Sequence, residues 1–167
     1  MNEVPISGPV TQTSSDACAI RDLIHRYATY LDDGDFDSVA ELFTEGDWNG
    51  RVGRQACLDY LSANVILYAD GTPRTHHAVT NVIIEFDRKE HARARSRTIV
   101  FQQPDNSLPI ETIASVDYWD SFTKSSDVWR FGERRAATLL LGDQSRHLRV
   151  QPTYRRRFRS SPLSEDQ

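Results

Sequence analysis

A chain of 167 residues and 19.1 kDa, 38% apolar and 26% charged, has room for one compact domain and little for a second. A net charge of -4 and a pI near 5.7 give no general electrostatic reason to bind nucleic acid. No run approaches the ~20 consecutive apolar residues of a membrane span, and residues 1–15 lack a basic stretch followed by an apolar one, so the expectation is a cytoplasmic protein without a secretory signal or membrane contact.

Residues 1–14, with Pro5, Gly8 and Pro9, read as a flexible arm, residues 15–150 as a single domain, and residues 151–167 as a C-terminal tail. Ile20, Leu23, Ile24, Tyr27 and Leu31 follow helical spacing, with Ser14, Ser15 or Asp16 able to cap the start and Gly34 suited to a left-handed stop. A short second helix carries Phe36, Val39, Ala40 and Phe43 on one face. After a turn and short strand around Trp48, a third helix is predicted over roughly 54–68, with Leu58, Leu61 and Val65 inward. The texture then becomes extended. Residues 75–86, 92–102, 110–121 and 128–141 are β-rich runs separated by polar turn signals, as in an antiparallel meander. From Gly142 the chain reads as a tail. The fold class is α+β: N-terminal helices packed on a strongly curved, mainly antiparallel sheet, a cone whose mouth can hold a small molecule.

Several chemistries are disfavoured. The sequence has no G-x-S-x-G, G-x-x-x-x-G-K-[ST] or G-x-G-x-x-G motif, and its two lysines, Lys89 and Lys124, sit in polar connections. Cys18 and Cys57 lack metal-ligand spacing, and Cys18 reads as a buried thiol.

Three features can carry chemistry. Tyr27 lies on the apolar stripe of the first helix and Asp32 at its C-terminal end, where the helix dipole and partial burial should both raise the carboxyl pKa. His76 and His77 open the first long strand; neighbours on a strand face opposite sides, so one of them can enter the cavity and a shared metal ion is disfavoured. Strict alternation groups His76 with Ala78, Val82, Ile84 and Phe86, and His77 with Val79, Asn81 and Ile83; it does not decide which histidine turns inward. Arg93, Arg95 and Arg97 share one strand face, read as the outer one, while one of Arg134 and Arg135 must face the helices or the cavity. The run 155–159, RRRFR, reads as a solvated end.

The order of these features resembles the SnoaL-like branch of the nuclear transport factor two-like superfamily. The matching stretches are AIRDLIHRYATYLDDGDFDSVAELFTEGDW (19–48), RTHHAVTNVIIEFD (74–87), ARARS (92–96) and VWRFGERRAATLLLGDQSRHL (128–148). Members of that branch include dehydratases, a dehydrochlorinase, ketosteroid isomerases and polyketide cyclases, along with non-catalytic proteins. The resemblance implies a catalytic aspartate at Asp32, a histidine base at His77 (anchored on Thr80-Asn81) and a supporting tyrosine at Tyr27. Three family features have no counterpart: the second carboxylate of the family's bile-acid dehydratase falls near Val100, the second histidine of scytalone dehydratase has no match in ARARSRTIVF, and the proton-shuttling carboxylates of the ketosteroid isomerases are not evident.

The expected activity is a cofactor-independent lyase or isomerase that removes a proton from carbon, with His77 as base and Asp32 orienting it. Tyr27, with Arg134 or Asn81, would hydrogen-bond the substrate's oxygen, and Trp48, Leu58, Leu61, Phe101, Trp119 and Phe131 would line the pocket with His76 nearby. A histidine base predicts activity lost below pH about 6–7, the ordinary imidazole range. The alternatives are a non-catalytic binding or assembly domain and an epoxide hydrolase, which needs an Asp-Arg-Asp group. By the same resemblance the substrate is a small apolar cyclic molecule, no metal or cofactor is required, and the open sheet face is covered in a homodimer or higher homo-oligomer.

Overall fold

The structure, a computed structural model, describes residues 14–150; the remainder of the expected N-terminal arm and the expected tail with its arginine run lie outside the described residues. Helix α1 (Ser14–Asp32) buries Ile20, Ile24, Tyr27 and Leu31, the predicted stripe. Each aliphatic side chain taken fully out of water there contributes roughly 1.5–3 kcal/mol. Cys18 is exposed, contrary to expectation: it is two residues from Ile20 and therefore on the opposite side of the helix. Asp16, in the first turn of α1, accepts a hydrogen bond from the Trp129 indole at 2.8 Å and pairs with Lys124 at 3.1 Å.

At the end of α1 the chain reverses at Gly34, whose φ of +73° lies in the left-handed region. Asp35 then caps α2 (Phe36–Glu41) by accepting from the Ser38 backbone N–H at 3.0 Å. Phe36, Val39, Ala40 and Phe43 are buried as their spacing predicts. Two short strands, β1 (Asp47–Trp48) and β2 (Arg51–Val52), lead into α3 (Gly53–Asn64), which buries Cys57 and Leu61. Helix α3 ends before residue 68 because Val65 turns to extended backbone and bridges Leu148. The segment after Gly142 is thus not a loose tail. The Ile66 N–H donates to the His147 carbonyl, and the Arg149 N–H to that of Asn64, both at 2.9 Å.

Four long strands follow: β3 (Thr75–Arg88), β4 (His91–Gln102), β5 (Glu111–Ser125) and β6 (Val128–Leu141). They form the expected antiparallel meander, extended by β1, which runs parallel to β6. The sheet order is β2-β1-β6-β5-β4-β3, an open, curved sheet with the helices on its inner face. The fold is α+β.

Strict alternation fails at one place on β3. Thr80 pairs with Arg97 and Ile83 with Arg95, so Asn81 and Val82 together oppose Ser96. Asn81 absorbs the extra residue with a φ of +52°. The bulge reverses the pleat, so that Val79 before it and Val82, Ile84 and Phe86 after it all pack on the core. His77 therefore belongs with Val82, Ile84 and Phe86, and the parity that grouped them with His76 is overturned.

A Cβ added at Gly34 would collide with the Gly71 carbonyl oxygen, whereas one added at Gly71, at φ +82°, meets nothing. Gly71→Ala should cost only the left-handed penalty, roughly 1–2 kcal/mol. Gly34→Ala should cost distinctly more, and urea denaturation of the two variants checks the order.

Candidate active site

Asp32 ends α1 and faces the first residues of β3. Its carboxylate accepts three hydrogen bonds: from the Thr75 hydroxyl at 2.8 Å, the His77 backbone N–H at 2.8 Å and the His77 ring Nδ1 at 2.5 Å. Burial alone raises the Asp32 pKa, but the bonds from His77 and Thr75 together outweigh it and hold the carboxyl below its ordinary value. The upward shift expected from the helix dipole and burial is overturned, because the donors arrive from another element of the fold. An ionised carboxylate only accepts, so the neutral His77 ring carries its proton on Nδ1 and keeps a lone pair on Nε2. The His77 side chain is 7% exposed and that of Asp32 17%.

The His77 ring lines a cavity of about 170 Å³ on the inner face of the sheet. Tyr27 and Leu31 of α1, Trp48 of β1, Tyr60 and Leu61 of α3, and Val100, Val116 and Tyr118 of the sheet form most of its wall. Gln144, His147 and Leu148 close it from the C-terminal segment. The volume is that of a site for about one ring. On its other side the dyad borders an open cleft lined by His25, Thr29, Asp33 and His76.

Behind the aromatic wall is a buried ion pair. Arg134 donates to Asp120 through Nε at 2.8 Å and Nη2 at 2.7 Å. Its guanidinium carbon stands 4.2 Å from the centroid of the Tyr27 ring and 4.5 Å from that of Tyr118. Burial works against the Arg134 charge, and the Asp120 carboxylate more than offsets it. The Trp48 indole N–H donates to the Tyr27 hydroxyl at 3.0 Å. Burial, reinforced by Tyr118, pushes the Tyr27 hydroxyl well above its ordinary pKa, so it stays a protonated donor; Arg134 and Trp48 only partly oppose this.

The expected site residues separate into two groups. His77, Asp32, Tyr27 and Trp48 come together, with Leu61 in the wall. His76 does not enter the cavity: its side chain is 77% exposed, and its Nδ1 lies 4.0 Å from Asp32 across the outer cleft. Asn81 is exposed and serves the bulge rather than the cavity. Trp119 faces the other side of the sheet, where the Arg95 guanidinium lies 5.6 Å above its ring. Phe131 is core, stacked on Phe43 at 5.0 Å and packed on Phe122 at 4.7 Å. Arg134 is held by Asp120 and supports the tyrosines from behind, outside the cavity wall. Leu58 and Phe101 also lie outside that wall.

The model of the SnoaL-like domain matches residues 12–135. The chain belongs to the SnoaL-like domain family. Among solved structures it is similar to a nuclear transport factor two-like protein with a cystatin-like fold from Novosphingobium aromaticivorans (22% identity, 75% of this chain and 82% of that one, TM-score 0.62). A single-residue variant of a Mycobacterium tuberculosis protein of unknown function is similar at 25% identity over 80% of this chain and 78% of that one, TM-score 0.63. A provisionally named scytalone dehydratase from Novosphingobium aromaticivorans is similar at 22% identity over 77% and 87%, TM-score 0.63. No curated protein matches the chain. No helix among the described residues is long and apolar enough to cross a membrane.

In this SnoaL-like chain, sequence reasoning missed Tyr60, Tyr118, Gln144 and His147. Tyr118 lay inside the predicted strand 110–121 with nothing local to mark its face, and His147 was hidden by reading its segment as a tail. Burial lowers the His147 pKa from 6.5 to about 4, with His77 adding to the effect and Asp32 opposing it. The unfolded chain therefore binds the extra proton between those two pH values and the native one does not. Native stability should fall as pH drops from about 6.5 toward 4, by at most about 3 kcal/mol from this group. His147→Asn should flatten that part of a melting-temperature profile.

Proposed function

We propose that this SnoaL-like chain is a cofactor-independent lyase or isomerase acting on a small cyclic substrate, with His77 as the base. The observation that carries the reading is the Asp32–His77 hydrogen bond at 2.5 Å on the wall of a one-ring cavity. His77 Nε2 takes a proton from carbon beside a carbonyl or opposite a leaving group. The C–H electron pair becomes the new π bond. Asp32 holds Nδ1–H and stabilises the imidazolium that results. In an elimination the leaving oxygen departs with its bonding pair and takes a proton, returned by the imidazolium; in an isomerisation that proton is returned to a different carbon. Tyr27 and Tyr118, kept protonated by burial, donate to the oxygen on which charge develops. The buried Arg134 adds a positive field from behind their rings.

Epoxide hydrolysis is the weaker reading. The Asp120–Arg134 pair is outside the cavity wall, and among the described residues no second carboxylate joins it to make an Asp-Arg-Asp group.

The test is deuterium exchange or elimination with candidate cyclic ketones and alcohols. His77→Ala should lower the rate at least about 10²-fold, the lower end of what general-base catalysis contributes. Asp32→Asn should lower it comparably by losing the oriented tautomer, and the acid limb of the wild-type pH–rate profile should vanish in His77→Ala. Rates unchanged in both variants would leave a binding domain.

The outer sheet face supports a second proposal, self-association. There Arg95 and Arg97 converge on Asp117 at 3.0 and 2.7 Å, beside Trp119 and the exposed Ile83. The pairing holds three charges in one organised patch that a second copy can cover. Sedimentation should find a homo-oligomer in the wild type and a shift toward monomer in Trp119→Glu.

A further inference from the structure

The β1–β2 hairpin turns on Asn49 and Gly50, whose φ values of +52° and +82° both lie in the left-handed region, as a tight two-residue turn requires. It is locked to β6: the Asn49 N–H donates to the Arg134 carbonyl at 2.9 Å, and the Asn49 side-chain oxygen accepts from the Ala136 N–H at 2.7 Å. Trp48 and Arg51 pair directly across this hairpin, and residues opposite each other on antiparallel strands share a face. The Arg51 side chain therefore lies on the inner face with Trp48, at the edge of the sheet that β2 forms. Its guanidinium carbon stands 3.5 Å from the centroid of the Tyr60 ring and 5.3 Å from that of Trp48. Both rings line the inner cavity, so the cation is about one aromatic ring away from it.

The charge has no counter-ion. Arg51 donates to the Asn49 carbonyl at 3.1 Å, and among the described residues no carboxylate pairs with it. Arg54, at the start of α3, takes both Asp37 and Glu41. Asp47, the acid of the hairpin itself, adjoins Trp48 on the strand and so faces the other side; its Oδ1 accepts from the Gly50 N–H at 2.5 Å. Arg51 is thus a half-buried cation on an aromatic face, with most of its planar fork of N–H donors unused.

We propose that Arg51 is an anion subsite at the rim of the inner cavity, and that the substrate is a ring bearing a carboxylate. The ring enters among the aromatic walls and the carboxylate stays at the rim, on the guanidinium. The division follows from the wall: among the described residues no Asp, Glu, Lys or Arg lines the cavity, so a charge taken inside would lose its water without gaining a partner. At the rim it keeps part of its hydration and gains a charge-assisted hydrogen bond. The locked hairpin holds the guanidinium in place before the ligand arrives, so binding has little left to order. This rests on the inner cavity being the substrate site proposed above, and it names a second group which that substrate carries.

The probes are benzoate and benzamide, the same ring with and without the charge. Titration calorimetry of the full chain at pH 7 and low salt should find benzoate bound about tenfold or more tightly, as one charge-assisted bond implies. Arg51→Gln, which keeps a long polar side chain and removes the charge, should bring that ratio to about one while benzamide affinity holds. Acetate, a carboxylate without a ring, should fail to displace benzoate at equal concentration. His77→Ala should keep the benzoate preference while abolishing proton exchange, so failure of the anion subsite and failure of the base are separately visible. If Arg51→Gln does not fold, the unmutated protein still decides: the ¹⁵Nε signal of Arg51 should move with benzoate and stay with benzamide. Equal affinity for the two probes, no binding of either, a preference that survives Arg51→Gln, or displacement by acetate would overturn the proposal.

Discussion

A single carboxylate joins the helical layer of this protein to its sheet. Asp32 ends α1, and its two oxygens take up the Thr75 hydroxyl, the His77 backbone N–H and the His77 ring at the start of β3. The edge strand is thereby anchored to the end of the helix through both the backbone and the side chain of one residue. An ionised acceptor with several donors is stronger than a neutral pair, and it fixes orientation as well as distance. The tautomer of a neutral His77 ring follows from the same contact, since the ring must present Nδ1–H to a group that can only accept.

Around that contact the cavity is built in layers. The inner wall is mostly aromatic and aliphatic, and its polar side chains are few: His77, Thr138, the Tyr27–Tyr118 pair, Gln144 and His147. Behind the wall, Arg134 and Asp120 are bonded in parallel and both nearly fully buried. Such a pair costs desolvation that its own attraction only partly returns, so its worth is positional. It presents a fixed cation to the faces of two tyrosines that line the cavity.

The helices and the meander were legible in the sequence for local reasons. Ile20, Ile24, Tyr27 and Leu31 repeat at the helical period, and the four long strands are bounded by polar turns. The site's aspartate and histidine were visible only through the family resemblance, because two histidines in a row carry no sign of which turns inward. The positions of Trp119, Phe131, Asn81 and Arg134 were not legible. Each is a strand residue whose face depends on pleat parity, and bulges break that parity on β3, β4 and β5.

The amino-acid sequence by itself determined the class of the fold and the order of its elements, since both arise from periodicity and turn chemistry over a dozen residues. Only the tertiary structure decided which side chains share the cavity. The bulge at Asn81 sets which face His77 and the rest of β3 present, and a bridge between Val65 and Leu148 brings in Gln144 and His147, a segment that reads locally as loose. A one-residue slip reverses every side chain beyond it. Contacts between residues some eighty positions apart leave no trace in a local pattern.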